Sequence, residues 1–239
     1  MLGIKSPKRR SAKEDGEKPF WISFSDLMSA LMVLFLVAMA VALMAVTQGL
    51  QQLKKTAEER DKTIEACVAD VAALTKLDDF KGVTVRGHSI DFGTMVQFQD
   101  KEHKFEKSEE EHFVRKFVPR VLAVARADKC DKWLKRVVVE GFASKTGDYL
   151  FNLNLSYLRS QRVLCALLNS QAADALAASD RRLIQTLFLA GGSSFNTASS
   201  SASQMRRVEI KLEFRDLESK REPPPDIPLD PGLKCPNDR

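Results

Sequence analysis

The pattern of apolar and polar positions changes character twice along the chain. From Phe20 to Val46 it is apolar apart from a few serines and one ionisable side chain, Asp26, with no Gly or Pro. At about 1.5 Å per residue this run exceeds the roughly 30 Å hydrocarbon core of a bilayer, so one membrane-spanning helix is expected over residues 19–46. From Gln48 to about Asp79 the chain is polar, and Leu50, Leu53, Ala57, Ile64, Cys67, Val71 and Leu74 recur at spacings of three and four around a polar exception, Arg60. That heptad seam predicts a coiled-coil stalk over residues 47–80 and, from it, a homodimer. The same seam also fits a single amphipathic helix lying on the domain that follows.

Beyond Lys81, short β-prone runs alternate with helical ones. Val83–Arg86, Ser89–Phe92 and Met95–Phe98 read as short strands or a hairpin, punctuated by Gly87 and Gly93. Ser108-x-x-Glu111 reads as a capping box before a helix carrying Phe113, Phe117, Val121, Leu122 and Val124, with a bend expected at Pro119. Arg136–Phe142 has the texture of a buried strand, Asn154–Asn169 of a second helix, and Arg181–Thr186 of a short helical piece capped by Asp180. Leu187–Ala190 is a further candidate strand before a Gly/Ser-rich loop through Ser203, and Arg207–Phe214 alternates as an antiparallel strand does. The class is α+β, with a two-layer α/β sandwich expected over residues 81–216, helices on one face. Its Pro-rich continuation, residues 217–239, is expected to be extended and disordered.

Charge adds a topology. The net charge of +5 over 239 residues is too small and too dispersed to form the basic face that nucleic acid requires. Before the apolar run, Lys5, Lys8, Arg9, Arg10, Lys13 and Lys18 outnumber Glu14, Asp15 and Glu17, which places residues 1–18 in the cytoplasm and the remainder across the membrane. The run is longer than a signal-peptide core and ends at Thr47-Gln48-Gly49 without a clear cleavage site, so a retained anchor is expected. Cys67, Cys130, Cys165 and Cys235 then lie on the oxidising side, as disulfides or as buried thiols, and Cys67 on the seam is placed to link two chains. His88, His103 and His112 lack ligand spacing, and no phosphate loop, nucleophile elbow or zinc motif is present. No cofactor, metal or enzymatic activity is expected.

Asp26 is the residue with candidate chemistry. It lies about 9 Å inside the apolar run, where a carboxylate costs on the order of 3 kcal/mol and is kept for ion pathways and protein partners. The alternative is that Ser23-x-x-Asp26 forms a capping box and Asp26 sits in a first helical turn.

The stretch Ser25-Asp26-Leu27-Met28-Ser29-Ala30-Leu31-Met32-Val33-Leu34-Phe35-Leu36 resembles the start of the transmembrane helix of the MotB-like stator subunits, whose Asp carries the driving ion. Val139-Glu140-Gly141, then Asn152-x-x-Leu155-Ser156-x-x-Arg159, then Arg206-Arg207-Val208-Glu209-Ile210 resemble the OmpA-like peptidoglycan-binding domain. The resemblance implies that Asp26 binds and releases a proton, with Na⁺ not excluded, and that Asn152, Leu155 and Arg159 contact peptidoglycan. Arg159 would offer a bidentate donor to a stem-peptide carboxylate, close to a helix N-terminus. Against it stands the plainer possibility that Asn152 and Ser156 cap the helix and Arg159 pairs with Asp148. The chain also departs from the family: Gly141-Phe142-Ala143-Ser144 replaces Gly-His-Thr-Asp, and Ser144 cannot form an ion pair with a stem-peptide ammonium.

By the same resemblance the partners are a ring of five multi-helix MotA/ExbB-like membrane subunits around two copies of this chain, in a bacterial inner membrane with the OmpA-like domain in the periplasm. Trp21–Ala30, Ser144 and the Pro-rich tail look most like the Zorya anti-phage defence branch. A flagellar stator subunit and a non-conducting peptidoglycan tether are the alternatives.

Overall fold

A computed structural model describes residues 18–144, 146–195 and 205–219 together with Pro228 and Cys235, with side chains described from Phe24 onward. The expected cytoplasmic segment before Lys18, part of the Gly/Ser-rich loop and most of the Pro-rich tail lie outside these residues. The chain divides into two compact units, Met1–Lys55 and Thr56–Arg239. Helix α1, Lys18–Leu74, contributes to both.

In the first unit α1 is long and apolar enough to cross a membrane. Every described side chain from Phe24 to Lys55 is exposed in the single chain. Two hydroxyls here turn back on their own helix: Ser29 Oγ donates to the Ser25 and Asp26 carbonyls at 2.7 and 3.0 Å, and Thr47 Oγ1 to the Met44 carbonyl at 2.9 Å. A polar group handled this way needs no partner from outside the helix.

In the second unit the lower half of the seam is already occupied. Ile64, Cys67 and Val71 are buried against the domain, whereas Leu50 and Leu53 higher up remain exposed. Arg60, the polar exception, marks the change. Its Nε donates to the Arg215 carbonyl at 2.8 Å, and its guanidinium lies 5.9 Å from the centre of the Trp133 ring. Cys67 is bonded to Cys130 of the single-turn helix α3, Asp128–Asp131, with Cα atoms 5.5 Å apart, and Asp70 pairs with Lys129. Cys67 is therefore spent inside its own chain and does not link two chains, a correction to the expectation drawn from its seam position. Cys165 is bonded to Cys235, with Cα atoms 5.6 Å apart.

The sheet has the order β1-β2-β5-β3-β4, with β1 Thr84–Arg86, β2 Ser89–Asp91, β3 Leu134–Gly141, β4 Phe188–Gly192 and β5 Val208–Phe214. The β3–β4 pair is parallel and the other pairs are antiparallel. Alternation along β3 and β5 buries Val137, Val139, Val208, Ile210 and Leu212 on one face. Helices α2 (Ser108–Ala125) and α4 (Tyr149–Leu168) supply Phe113, Phe117, Val121, Leu122, Val163 and Leu167 to the same core. Phe80 and Phe92 meet Phe117 edge-on, at 5.0 and 5.7 Å between ring centres. The α+β class with one long apolar helix is as expected.

Helix α4 crosses the ends of β3 and β4 where two glycines lie side by side, Gly141 in register with Gly192. A Cβ on Gly141 would fall 1.9 Å from the Ser156 carbonyl oxygen, and one on Gly192 would fall 2.7 Å from Ser156 Oγ and from the Tyr157 nitrogen. Gly141→Ala is therefore expected to lower stability by about 3 kcal/mol, the upper end for an extra methyl in a packed core. Urea denaturation of the full chain in detergent reads this directly, and an unchanged midpoint would show that α4 can lift off the sheet.

Several boundaries differ from expectation for local reasons. The box before α2 is shifted by one residue: Glu110, not Glu111, reaches back to accept from the Lys107 N–H at 3.2 Å, and Ser108 is the first helical residue. Glu111 instead pairs with Arg115 and Arg162. Helix α2 runs through Pro119 unbroken. Met95–Phe98 is not a strand: Gly93, at φ 56°, donates its N–H to Asp91 Oδ1 at 2.8 Å and starts a 3₁₀ turn at Gly93–Met95. Helix α5, Ala178–Leu187, begins ahead of Asp180, with Ala177 in the cap position.

Candidate functional site

Two places carry the expected site residues, one in each unit. In the first, α1 begins at Lys18, so Asp26 lies more than two turns inside the helix at 3.6 residues per turn. A residue there caps nothing, and the capping-box alternative built on Ser23 has no helix start to serve. Its neighbours along the chain are apolar apart from Ser23, Ser25 and Ser29, and both hydrogen bonds of the Ser29 hydroxyl run to backbone carbonyls.

In the second unit Asn152, Leu155 and Arg159 lie at i, i+3 and i+7 on α4 and therefore share one face. All three are buried. Helix α4 starts five residues earlier than the sequence led us to expect. Asp148 Oδ1 accepts from the Phe151 N–H at 2.8 Å and is the cap, which moves Asn152 and Ser156 into the helix body. Arg159 accordingly sits three turns in, beyond the reach of the terminal dipole. It does not pair with Asp148 either.

Asn152 Nδ2 donates to the Thr146 and Asp148 carbonyls, each at 3.0 Å, and so ties the 142–148 loop to the helix. Its Oδ1 is buried with no hydrogen-bond partner among the described residues. Ser156 Oγ donates to the Leu153 carbonyl at 2.8 Å and accepts from the Ser194 N–H at 3.0 Å, which anchors the loop after β4.

Arg159 is 1% exposed. Nε donates to the Glu102 carbonyl at 3.0 Å, Nη1 to the Phe142 carbonyl at 2.9 Å and Nη2 to the Gln99 carbonyl at 3.2 Å. The guanidinium carbon lies 5.3 Å from the centre of the Phe98 ring. Burial pulls its pKa down to about 10, Arg206 adds to that pull, and Asp100 opposes it. Among the described residues no carboxylate is paired with it. Ser144 stands where an acid would be expected.

The segment that covers Arg159 is a hairpin, and sequence reasoning missed it. Phe98 bridges Phe105, with rings stacked at 5.2 Å, and the Glu106 N–H donates to the Gln97 carbonyl at 3.1 Å. The buried Glu110 carboxylate accepts from the N–H groups of Gln97, Glu106 and Lys107 at 3.2, 2.8 and 3.2 Å and so fixes the base of the hairpin. Burial pushes the Glu110 carboxyl up, against those three donors. Phe98 and Phe105 at the two feet were visible in the sequence as aromatics on either side of a polar run, Gln99 to Lys104. The carbonyls of Gln99, Glu102 and Phe142 leave no side-chain signal at all.

No family model matches the chain. Among curated proteins it is similar to the Zorya protein ZorB of Escherichia coli O139:H28 (strain E24377A / ETEC), 38% identical over 234 residues that span 96% of this chain and 93% of that one. Among solved structures it is similar to a putative MotB-like protein from Desulfovibrio vulgaris, at 15% identity and TM-score 0.39 over 66% of this chain and 96% of that one. It is also similar to the cell wall anchor of the type VI secretion system (T6SS) from Pseudomonas aeruginosa, at 18% identity and TM-score 0.37 over 62% of this chain and 97% of that one.

Proposed function

The chain belongs to the family of the Zorya protein ZorB, and on that premise we propose that it is the MotB-like subunit of a proton-driven, peptidoglycan-anchored membrane motor acting in anti-phage defence. The observation that carries the proposal is the extent of the match, 96% of this chain at 38% identity, which takes in the apolar helix with Asp26 and the domain with the α4 face together.

Each part has a physical role in this reading. Residues 19–46 span the inner membrane with the basic N-terminus in the cytoplasm, and the α+β domain stands in the periplasm, where Cys67–Cys130 and Cys165–Cys235 form. Asp26, held inside the helix, takes up and releases the ion, because a lone carboxylate in a bilayer is tolerated only beside a partner or a wet path. Two copies pair along the exposed upper seam around Leu50 and Leu53, inside a ring of five multi-helix MotA/ExbB-like, ZorA-like subunits. The face of Asn152, Leu155 and Arg159 holds peptidoglycan and keeps the core from turning with the ring.

Purification of the tagged chain from membranes in mild detergent tests the assembly. Native mass spectrometry is expected to count two copies of this chain with five of a multi-helix subunit. Recovery of the chain without a membrane partner would favour the passive tether. Phage sensitivity with intact swimming, on deletion of the gene, separates defence from a flagellar role.

A further inference from the structure

The tip of the 97–106 hairpin is thin and exposed, yet it hides a cation. Gln99, Asp100, Lys101 and Glu102 are all exposed, while Arg159 beneath them is 1% exposed. Two of the three carbonyls that hold Arg159 belong to this tip. At the surface its Asp100 pairs with Arg206, 3.3 Å apart. The tip turns through Lys101 at φ 59°, a left-handed conformation that a non-glycine residue adopts at some cost. By contrast the base is fixed by Glu110 and by the stacked Phe98 and Phe105 rings. The hairpin therefore combines a firm root with a tip held by replaceable contacts.

We propose that the tip of this hairpin is a lid over Arg159: the Gln99 and Glu102 carbonyls occupy the guanidinium until a carboxylate-bearing ligand takes their place, and the Asp100–Arg206 ion pair is the latch. A guanidinium has five N–H donors, and three are used here, each by a neutral carbonyl. A buried cation served by neutral acceptors is under-compensated. A carboxylate would supply the missing charge and a two-pronged geometry that separate carbonyls do not. Opening also bares Arg206, whose partner Asp100 leaves with the tip, so the open site presents two cations. Asn152 Oδ1, buried and without a partner among the described residues, lies two turns away on the same face and can accept from an N–H of the same ligand.

The ligand's identity rests on the wall-binding reading, in which stem-peptide carboxylates are the anions; the lid itself rests on the hairpin geometry. Full-length chain in detergent, incubated with isolated sacculi that carry diaminopimelate stem peptides, tests both. Hydrogen exchange at the amides of residues 99–104 is expected to speed up when sacculi are added. Asp100→Asn, which weakens the latch, is expected to co-sediment about two- to fivefold more tightly, the range for loss of an exposed ion pair that opposes binding. Arg159→Lys is expected to bind poorly even with Asp100→Asn, because it keeps the charge and loses the fork. Sacculus binding with no change in exchange, and no gain from Asp100→Asn, would overturn the lid and leave the wall reading standing. Failure of every form to sediment would overturn the wall reading and, with no ligand to admit, the lid as well.

Discussion

Cells carrying the intact system with Asp26→Asn are expected to plate phage as cells lacking the gene do, while the protein remains in the membrane at its normal level. Asn preserves the shape of the side chain and its place in the helix but cannot exchange a proton, so this substitution separates chemistry from fold. The effect should be complete rather than graded, because from Phe24 to Val46 no second ionisable side chain is present to take over. Asp26→Glu retains the carboxylate and is expected to keep part of the protection, limited by the longer side chain at a packed contact. Full protection with Asp26→Asn would remove ion transfer from the mechanism.

The largest expected effect on stability comes from the Cys67–Cys130 bond. It closes a loop of 63 residues between the lower half of α1 and α3. Cross-linking a loop of this size restricts the unfolded chain enough to contribute about 4 kcal/mol, in the loop-entropy account. Cys67→Ala with Cys130→Ala is expected to lower the melting temperature of the second unit by about 10 °C, and dithiothreitol, which also reduces Cys165–Cys235, should lower that of the wild type at least as far. Scanning fluorimetry of the full chain in detergent, with and without reductant, measures both. On a non-reducing gel the wild type should run as a single chain. A covalent dimer, or a melting temperature indifferent to the double substitution, would contradict the intrachain pairing. The pairing also makes the Arg60–Leu74 stretch of α1 part of the second unit, joined to it at Cys130, Trp133 and Arg215.

What the sequence made legible follows from which features write themselves into side-chain type. An uninterrupted apolar run and a lone acid are compositional, so the helix and Asp26 could be named at once. The apolar run at 136–142 and the alternation at 207–214 were equally plain, and strands at Leu134–Gly141 and Val208–Phe214 cover nearly all of both. The seam was harder. Its period is the same whether a helix packs on a second copy or on its own domain, and the burial of Ile64, Cys67 and Val71 beside the exposure of Leu50 and Leu53 shows a division that no periodicity encodes. The start of α4 was misplaced because Asn152 and Ser156 are good capping types; Asp148 took the cap, and the other two found buried uses. The surroundings of Arg159 were illegible for a simpler reason. Backbone carbonyls of residues 99, 102 and 142 hold it, and every residue has one.

Proton uptake by vesicles containing this chain and its multi-helix partner, followed with a pH-sensitive dye under an imposed membrane potential, tests the central claim most directly. Uptake that depends on the potential with wild-type chain and is lost with Asp26→Asn is the predicted result. Uptake that is equal in the two, or absent from both while the complex is intact, would contradict the claim that this chain is the proton-carrying core of a motor.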